Sequence, residues 1–249
     1  VILKYIEETE DLSPEEQKAL DMLKNWDNNY DKDKIAPLIF EEFYLILSKN
    51  IIEDEIGEDL LKEFQHTDLL TNYLIDNTIK KGGSSWCDDV NTKDKTETLK
   101  DMVQKSFKEL IPEFKKRTGK IITETQWGEV HKLDLKHPLG KVKMLDIAFN
   151  LNRLPAVGGS YHTVSPYSYV FKNPYYANHG ASHRHIYDMS DLDNSFSIIP
   201  TGVSGIPSSK HYCDQTDMYI KGEYHADYTS IDKVKKNAVY TAVFTPYEN

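Results

Sequence analysis

The hydrophobic period of the sequence changes at Gly119, and this change limits the fold more than any other feature. Before Gly119, apolar residues recur at helical spacing, whereas after it the period approaches two, as in strands. The sequence therefore predicts an α+β fold. We expect a helical segment at residues 1–118 and a strand-rich segment with one late helix at residues 119–249, together forming one continuous structural unit.

Three helices are predicted before residue 82. The sequence Ser13-Pro14-Glu15-Glu16 has the pattern of a capping box with proline at the first helical position, so one helix begins there. A second helix, Ile35 to Lys49, is apolar on nearly every side, which predicts burial. A third helix runs from about Glu58 to Lys80 and ends at Gly82.

A fourth helix is predicted from about Asp94 to Arg117, with Gly119 as its stop signal. Pro112 lies within this helix, so we expect a kink or a break there. Beyond Gly119, one helix is expected at Ser209 to Lys221. The candidate strands are Ile121–Thr125, Lys143–Phe149, Tyr161–Val164, His185–Tyr187, Ser197–Ile199 and Ala238–Phe244.

The charge distribution argues against a nucleic-acid partner. The net charge is −10, and the first 80 residues hold 8 lysines and 20 acidic residues, whereas phosphate binding needs a positive field. No apolar run is long enough to span a membrane, so no membrane partner is expected. The sequence begins with Val1 rather than methionine, and we therefore expect a processed product or a fragment.

Residues 151–180 form an aromatic segment that contains only two charged residues, Arg153 and Lys172. Such a segment suits the wall of a ligand cleft. The same composition also suits strand core and turns. The sequence leaves both interpretations open, including a non-catalytic binding or assembly module built on this segment.

Two other constellations could carry chemistry. His183 and His185 would share one face of a strand and, with His179 nearby, could begin a zinc site, but no further ligand accompanies them. A metal-dependent hydrolase therefore remains an alternative, and no metal ligand is predicted. Ser204 lies in a sequence that resembles a nucleophile elbow but lacks the second glycine that the elbow requires.

Several motifs occur in an order that is distinctive as a set. The ordered set, which covers residues 84–222, resembles the C-terminal part of the β chain in the penicillin acylase (penicillin amidase) family of N-terminal-nucleophile hydrolases. One departure is Val203, where family members often carry glutamine. The motifs with the strongest resemblance are Trp127-Gly128-Glu129-Val130-His131 with His137-Pro138-Leu139-Gly140, Gly180-Ala181-Ser182-His183-Arg184-His185-Ile186-Tyr187-Asp188, and Gly202-Val203-Ser204-Gly205-Ile206-Pro207-Ser208-Ser209-Lys210-His211-Tyr212-Cys213-Asp214-Gln215.

The resemblance implies an amide hydrolase with a four-layer αββα fold. In that family an N-terminal serine attacks the substrate amide, its own amino group is the base, and an oxyanion hole stabilises the intermediate. Val1 has no hydroxyl group, so we expect the nucleophile outside this chain and assign no catalytic residue within it. The expected partners are the remaining α and N-terminal β portions of the enzyme and a small acyl-amide substrate.

The resemblance also supplies candidates for the support of the active site or for its pocket. In some members a carboxylate from this region supports an active-site histidine, and Asp188 is the candidate here; alternatively, Asp188 pairs with Arg184. No cofactor is expected, and a periplasmic or extracellular location is suggested by family resemblance only. Self-association is also expected, through free edges of the strands at Lys143–Phe149 and Ala238–Phe244. The candidate residues are Trp127, His131, Arg184, Asp188, Ser204, His211, Asp214 and Gln215.

Overall fold

A computed structural model describes residues 1–246 and combines helices with short strands, which confirms the predicted α+β class. The chain divides into two compact units between Gly180 and Ala181. The sequence-based division at residue 118 lies within the first unit and stays a prediction. The helices of the first unit are α1 (Ile2–Glu7), α2 (Pro14–Lys24), α3 (Ala36–Phe64), α4 (Asp68–Lys81), α5 (Leu99–Thr118), α6 (Trp127–Val130) and α7 (Asp146–Phe149).

The strands of both units are short. In the first unit, β1 (Lys132–Leu133) and β2 (Tyr176–Ala177) pair in parallel. The second unit contains an antiparallel sheet in the order β3-β4-β5, with His185 opposite Ser197 and Ser197 opposite His225. Its elements are β3 (Arg184–Ile186), β4 (Ser195–Ile198), α8 (Thr216–Lys221), β5 (His225–Asp227) and α9 (Ile231–Asn237).

Local signals at the helix ends are confirmed. The Ser13 hydroxyl accepts a hydrogen bond from the Glu16 amide at 3.3 Å, and the Glu16 carboxylate accepts one from the Ser13 amide at 2.6 Å. Gly82 and Gly119 end α4 and α5 with φ values of 75° and 71°, a conformation that glycine adopts without steric cost. Helix α5 continues through Pro112 to Thr118, so the chain does not break there.

Helix α3 forms the centre of the first unit. The predicted burial of Ile35 to Lys49 is confirmed, because residues 36–48 are buried except for the partly buried Phe40. The helix extends further than predicted, to Phe64, and contains one non-helical residue, Gly57, with φ 78° and ψ 163°. Because Gly57 interrupts the helical path, residues 58–64 form a helical stretch that begins where the third helix is predicted. The prediction is wrong at residues 65–67, where the chain leaves the helix before α4 begins after the Thr67 cap.

Four of the six predicted strands are not observed. The two that overlap His185–Tyr187 and Ser197–Ile199 are confirmed as β3 and β4. A strand needs a partner elsewhere in the chain, and alternation of apolar residues does not supply one. In the other four segments the chain forms a 3₁₀ turn at Ile122–Glu124, helix α7 within Lys143–Phe149, turns and bends at Tyr161–Val164 and irregular backbone at Ala238–Phe244.

Two further expectations are corrected. The late helix begins at Thr216 rather than at Ser209, because the Ser209 hydroxyl accepts a local hydrogen bond from the His211 amide, a bond that competes with helix formation. The free strand edges expected at Lys143–Phe149 and Ala238–Phe244 do not form, so self-association has no basis in them. Within residues 1–246, no helix has both the length and the apolar character needed to cross a membrane.

Candidate functional site

Two adjacent carboxylates, Glu41 and Glu42, lie buried near the centre of the first unit. Helix α3 places them there with exposed fractions of 6% and 0%. The Ser160 hydroxyl donates to Oε1 of Glu41 at 2.6 Å, and the Tyr169 hydroxyl donates to Oε2 at 2.5 Å. Each buried oxygen of Glu41 is thus paired, as burial of a carboxylate requires.

The Glu42 carboxylate contacts a different pair of donors. The Tyr175 hydroxyl donates to Oε2, and the Arg117 guanidinium of α5 donates to Oε1 at 3.2 Å. Burial raises the pKa of Glu42, while Arg117 and the Tyr175 hydroxyl oppose that rise. Burial and the neighbouring carboxylates raise the pKa values of Tyr169 and Tyr175, so both phenols remain protonated donors.

The predicted residues Trp127 and His131 contact the two tyrosines that donate to these carboxylates, Tyr169 and Tyr175. Helix α6 presents Trp127, whose indole Nε1 donates to the Gly159 carbonyl at 3.0 Å. The His131 ring stacks on the indole, and its Nδ1 lies 3.0 Å from the Tyr175 carbonyl. Both side chains are 0% exposed. This arrangement connects α6 to the backbone of the 159–175 segment.

Burial lowers the pKa of His131 to about 4, and the backbone carbonyls of Tyr175 and Tyr167 only partly oppose this shift. The ring is therefore neutral at pH 7 and donates through Nδ1. Its Nε2 is buried without a hydrogen-bond partner in the described part of the chain. His131 is suited to hold neighbouring backbone in place, and its side chain is fully buried.

The structure places Arg184 and Asp188 in separate roles within the second unit. The Arg184 guanidinium donates to the Tyr219 carbonyl at 2.9 Å and lies 3.9 Å from the centre of the Tyr219 ring. The Asp188 carboxylate accepts from the amide and hydroxyl of Ser190 and from Asn194, and these bonds lower the pKa of Asp188 to about 2. The Asp188 carboxylate is thus bound within its own turn, and its role beside an active site stays a prediction.

One loop brings together the other four candidates. The amide of Ser204 donates to the His211 carbonyl at 3.0 Å, and the amide of Gln215 donates to the Thr201 carbonyl at 2.9 Å. His211 Nδ1 lies 2.7 Å from the Asp214 carboxylate. The Gln215 side chain accepts from the Ile199 amide at 3.1 Å. These bonds close residues 199–215 into a fixed loop, in which Gln215 joins the loop to β4.

The hydroxyl of Ser204 has a local role in this loop. It accepts a hydrogen bond from the Ile206 amide at 3.2 Å, as in a turn. A glycine is needed at position 202, because a Cβ atom there would lie 2.7 Å from Asp214 Oδ1 and still closer to the His211 carbonyl oxygen. Ser204 and Gly202 are therefore explained by the backbone conformation of the loop.

No metal centre is found among residues 1–246. The rings of His183 and His185 lie side by side, with centroids 4.9 Å apart. Within the described chain, no three histidine, cysteine, aspartate or glutamate side chains are placed to hold one ion. The structure thus offers no support for the metal-dependent alternative.

Glu41 and Glu42 are not among the residues that the sequence predicts for a site, because they lie in a helix that is apolar on nearly every side and is therefore predicted to be core. The only available signal was a pair of acidic residues within an apolar run. For residues 151–180, the core interpretation holds at Tyr169, Phe171 and Tyr175, which are buried.

Comparison with known proteins identifies similar sequences. Residues 2–236 match the sequence model of the family described as penicillin amidase. Over 126 residues the chain is 30% identical to the penicillin acylase 2 proenzyme of Pseudomonas sp. (strain SE83), covering 50% of this chain and 16% of that protein. Over 215 residues it is 24% identical to the acyl-homoserine lactone acylase QuiP of Pseudomonas syringae pv. syringae (strain B728a), covering 84% of this chain and 26% of that protein. The chain thus spans about a sixth to a quarter of the length of these two relatives.

A solved structure resembles this chain along nearly the whole length of this chain. The thermostable penicillin G acylase from Alcaligenes faecalis, in its orthorhombic form, matches with a TM-score of 0.51. The match covers 99% of this chain and 46% of that chain, at 13% sequence identity. At this identity the likeness concerns the fold alone.

Proposed function

Because the chain belongs to the penicillin amidase family, we propose that it forms the C-terminal part of an amidohydrolase that cleaves an acyl amide to a carboxylic acid and an amine. The family match over residues 2–236 carries the proposal, and the enclosure of His131 supports a nucleophile and base outside this chain. A buried neutral imidazole, stacked on Trp127 and bound to a backbone carbonyl, can position structure but cannot take a proton from a nucleophile.

The other buried polar groups also support a structural role for this chain, with the nucleophile outside it. The hydroxyls of Ser160, Tyr169 and Tyr175 each donate to a buried carboxylate, and the Ser204 hydroxyl accepts from a turn amide. The side chains of Ser160, Tyr169 and Tyr175 are buried, so these three hydroxyls serve the interior and are not presented to solvent. The proposed nucleophile is an N-terminal serine outside this chain, with its own amino group as base. The partners of this chain are then the α portion and the N-terminal β portion of the enzyme.

The proposed substrates are linear acyl amides. Two relatives suggest this class: one is described as a penicillin acylase and the other as an acyl-homoserine lactone acylase. Both names denote acylases. The match to the second relative, the acyl-homoserine lactone acylase, covers 84% of this chain. An amide with an alkyl acyl chain is therefore the first substrate to test.

The experiment compares two proteins. One is residues 1–249 alone, and the other is the longer protein that contains them, each assayed with phenylacetyl amides and fatty-acyl homoserine lactones. We expect turnover by the longer protein only, with loss of turnover when its N-terminal serine is changed to alanine. The matched control is Ser204→Ala, which should keep activity because this hydroxyl serves a turn. Turnover by residues 1–249 that scales with protein concentration, or an inactive longer protein, would overturn the proposal.

A further inference from the structure

An aromatic groove of about 420 Å³ opens on the first unit, beside the part of α3 that carries Phe40, Phe43 and Tyr44. Three helices, α1, α3 and α4, form the groove together with two loops. One loop follows α2, and the other surrounds residue 162. The centroid of the Trp26 ring lies 5.0 Å from that of Tyr30 and 5.7 Å from that of Phe40. The ring centroids of Phe40 and Tyr44 are 6.0 Å apart. These distances describe a continuous wall of ring faces and edges. The remaining lining residues are Ile2, Asn28, Phe43, Asp76, Ile79, His162 and Thr163.

One carboxylate, Asp76, lies in this mainly aromatic and aliphatic wall. Its Oδ1 accepts from the Tyr44 hydroxyl at 3.2 Å, and its Oδ2 lies 3.3 Å from His162 Nε2. No lysine or arginine is among the described residues that line the groove, and Asp76 has no ion pair with either type in the described chain. The side chain is 35% exposed, so a ligand can reach it. The groove therefore holds a carboxylate that pairs with no lysine or arginine of the described chain and whose basic neighbour is the His162 ring.

The contacts around Asp76 hold this charge in place. Burial and the Asp76 carboxylate raise the pKa of Tyr44, so the phenol remains a donor to Asp76. The Tyr44 ring also contacts the His162 ring, with centroids 5.9 Å apart. The carboxylate is thus fixed at the aromatic wall and does not swing freely into solvent.

A small polar recess adjoins the groove and shares three wall residues with it, Phe40, Tyr44 and His162. Its volume of about 10 Å³ matches one water-sized group. Asn72 lines the recess and is 2% exposed, and neither atom of its amide has a hydrogen-bond partner in the described chain. The recess is also lined by Glu41 and its donors Ser160 and Tyr169, so this edge of the groove offers a buried amide next to the carboxylate site of α3.

We propose that the aromatic groove binds an amphiphilic amine, a ligand with an aromatic or alkyl body and one ammonium group. The rings of Trp26, Tyr30, Phe40 and Tyr44 cover the body and present π faces to the cation. Asp76 supplies the counter-charge. Neutral ligands of the same shape gain only the apolar contact, and anions are repelled by the carboxylate. The site is independent of the proposed amide hydrolysis, because binding is measured without turnover.

The test is a calorimetric titration of the intact protein that contains this chain. The probes are 2-phenylethylammonium, the neutral 2-phenylethanol and the anion phenylacetate. We expect the ammonium compound to bind about tenfold tighter than the alcohol, since only the ammonium group gains contacts with the ring faces and with the Asp76 carboxylate. Equal binding of amine and alcohol, tighter binding of phenylacetate, or no binding of any probe would overturn the proposal.

Two substitutions locate the binding. Asp76→Asn keeps an acceptor for Tyr44 but removes the charge, so the amine should bind about tenfold more weakly and the alcohol unchanged. The matched control is Asp59→Asn, at a side chain that is 100% exposed on α3 and does not line the groove. If Asp76→Asn fails to fold, Trp26→Leu replaces it, and that change should weaken binding of both amine and alcohol. An amine affinity that survives in the folded variant contradicts the proposed site.

Discussion

The imidazole ring of His131 lies face to face with the indole ring of Trp127, with centroids 4.2 Å apart and planes inclined by 11°. This contact buries a titratable group, and burial lowers the pKa of His131 from 6.5 to about 4. Between these two values the unfolded chain binds more protons than the folded chain. The contribution of His131 to the free energy of unfolding is therefore complete above about pH 6.5 and falls as the pH is lowered towards 4.

The first prediction concerns this pH window. His131→Phe keeps the stacking on Trp127 but cannot titrate, so its free energy of unfolding should vary less between pH 6.5 and 4 than that of the unchanged protein. The pH-dependent part of the free energy of unfolding that the substitution removes is about 3 kcal/mol at most, because each unit of pKa shift corresponds to about 1.4 kcal/mol. Urea unfolding at several pH values measures it. The control is His179→Gln, an exposed histidine, and an unchanged slope in His131→Phe would contradict the pKa shift.

A second prediction concerns the buried ion pair of Glu42 and Arg117. Arg117→Met leaves the fully buried Glu42 carboxylate without its cation, so the free energy of unfolding should fall by about 3 kcal/mol. The double variant with Glu42→Gln should recover part of this loss, because the amide is neutral. Thermal and urea unfolding measure both changes. Lys116→Met, at a side chain that is 78% exposed, is the control; an Arg117→Met variant as stable as this control would show that the pair is unimportant.

The third prediction uses two glycines of the loop at residues 199–215. Gly202→Ala places a Cβ atom against the His211 carbonyl and the Asp214 carboxylate, which should lower the free energy of unfolding by about 1–3 kcal/mol. Gly205→Ala meets no atom within 4 Å and is the matched control. Thermal unfolding compares the two variants. Equal melting temperatures would mean that the loop moves aside without cost.

The fourth prediction concerns Gly57 in α3. Its φ of 78° and ψ of 163° belong to a region that is almost restricted to glycine. Gly57→Ala should therefore lower the free energy of unfolding by about 1–3 kcal/mol, although the same change usually stabilises a regular helix. The position is open, so the cost is conformational rather than steric. Lys62→Ala in the same part of α3 is the control, and a stabilised Gly57→Ala variant would show that the helix straightens.

The sequence predicts best those features that depend on neighbours along the chain. The capping box at Ser13 and Glu16 and the helix ends at Gly82 and Gly119 each need only a few residues, and all are observed. Strands depend on partners that the local pattern does not show. Residues 143–149 alternate well enough to suggest a strand, yet they contain α7 with Ile147 91% exposed.

The candidate site was predictable only in part, for the same reason. The motif residues Trp127 and His131 were identified, but their surroundings come from distant positions. Tyr175, whose carbonyl faces the His131 ring, also donates to Glu42, 133 residues away in sequence. Nothing near Glu42 in the sequence indicates that partner, because an acidic residue in a helix ordinarily faces water.

The segment at residues 160–175 has little regular secondary structure, yet Ser160, Tyr169 and Tyr175 each donate a hydrogen bond to a carboxylate of α3. If the segment detached, the buried carboxylates of Glu41 and Glu42 would lose these hydrogen-bond donors, which costs free energy. Detachment of an ordinary surface loop has no such cost. Its backbone amides should therefore exchange with deuterium as slowly as those of α3 itself. In kinetic terms the segment opens together with the central helix and belongs to the most protected cooperative unit of the chain.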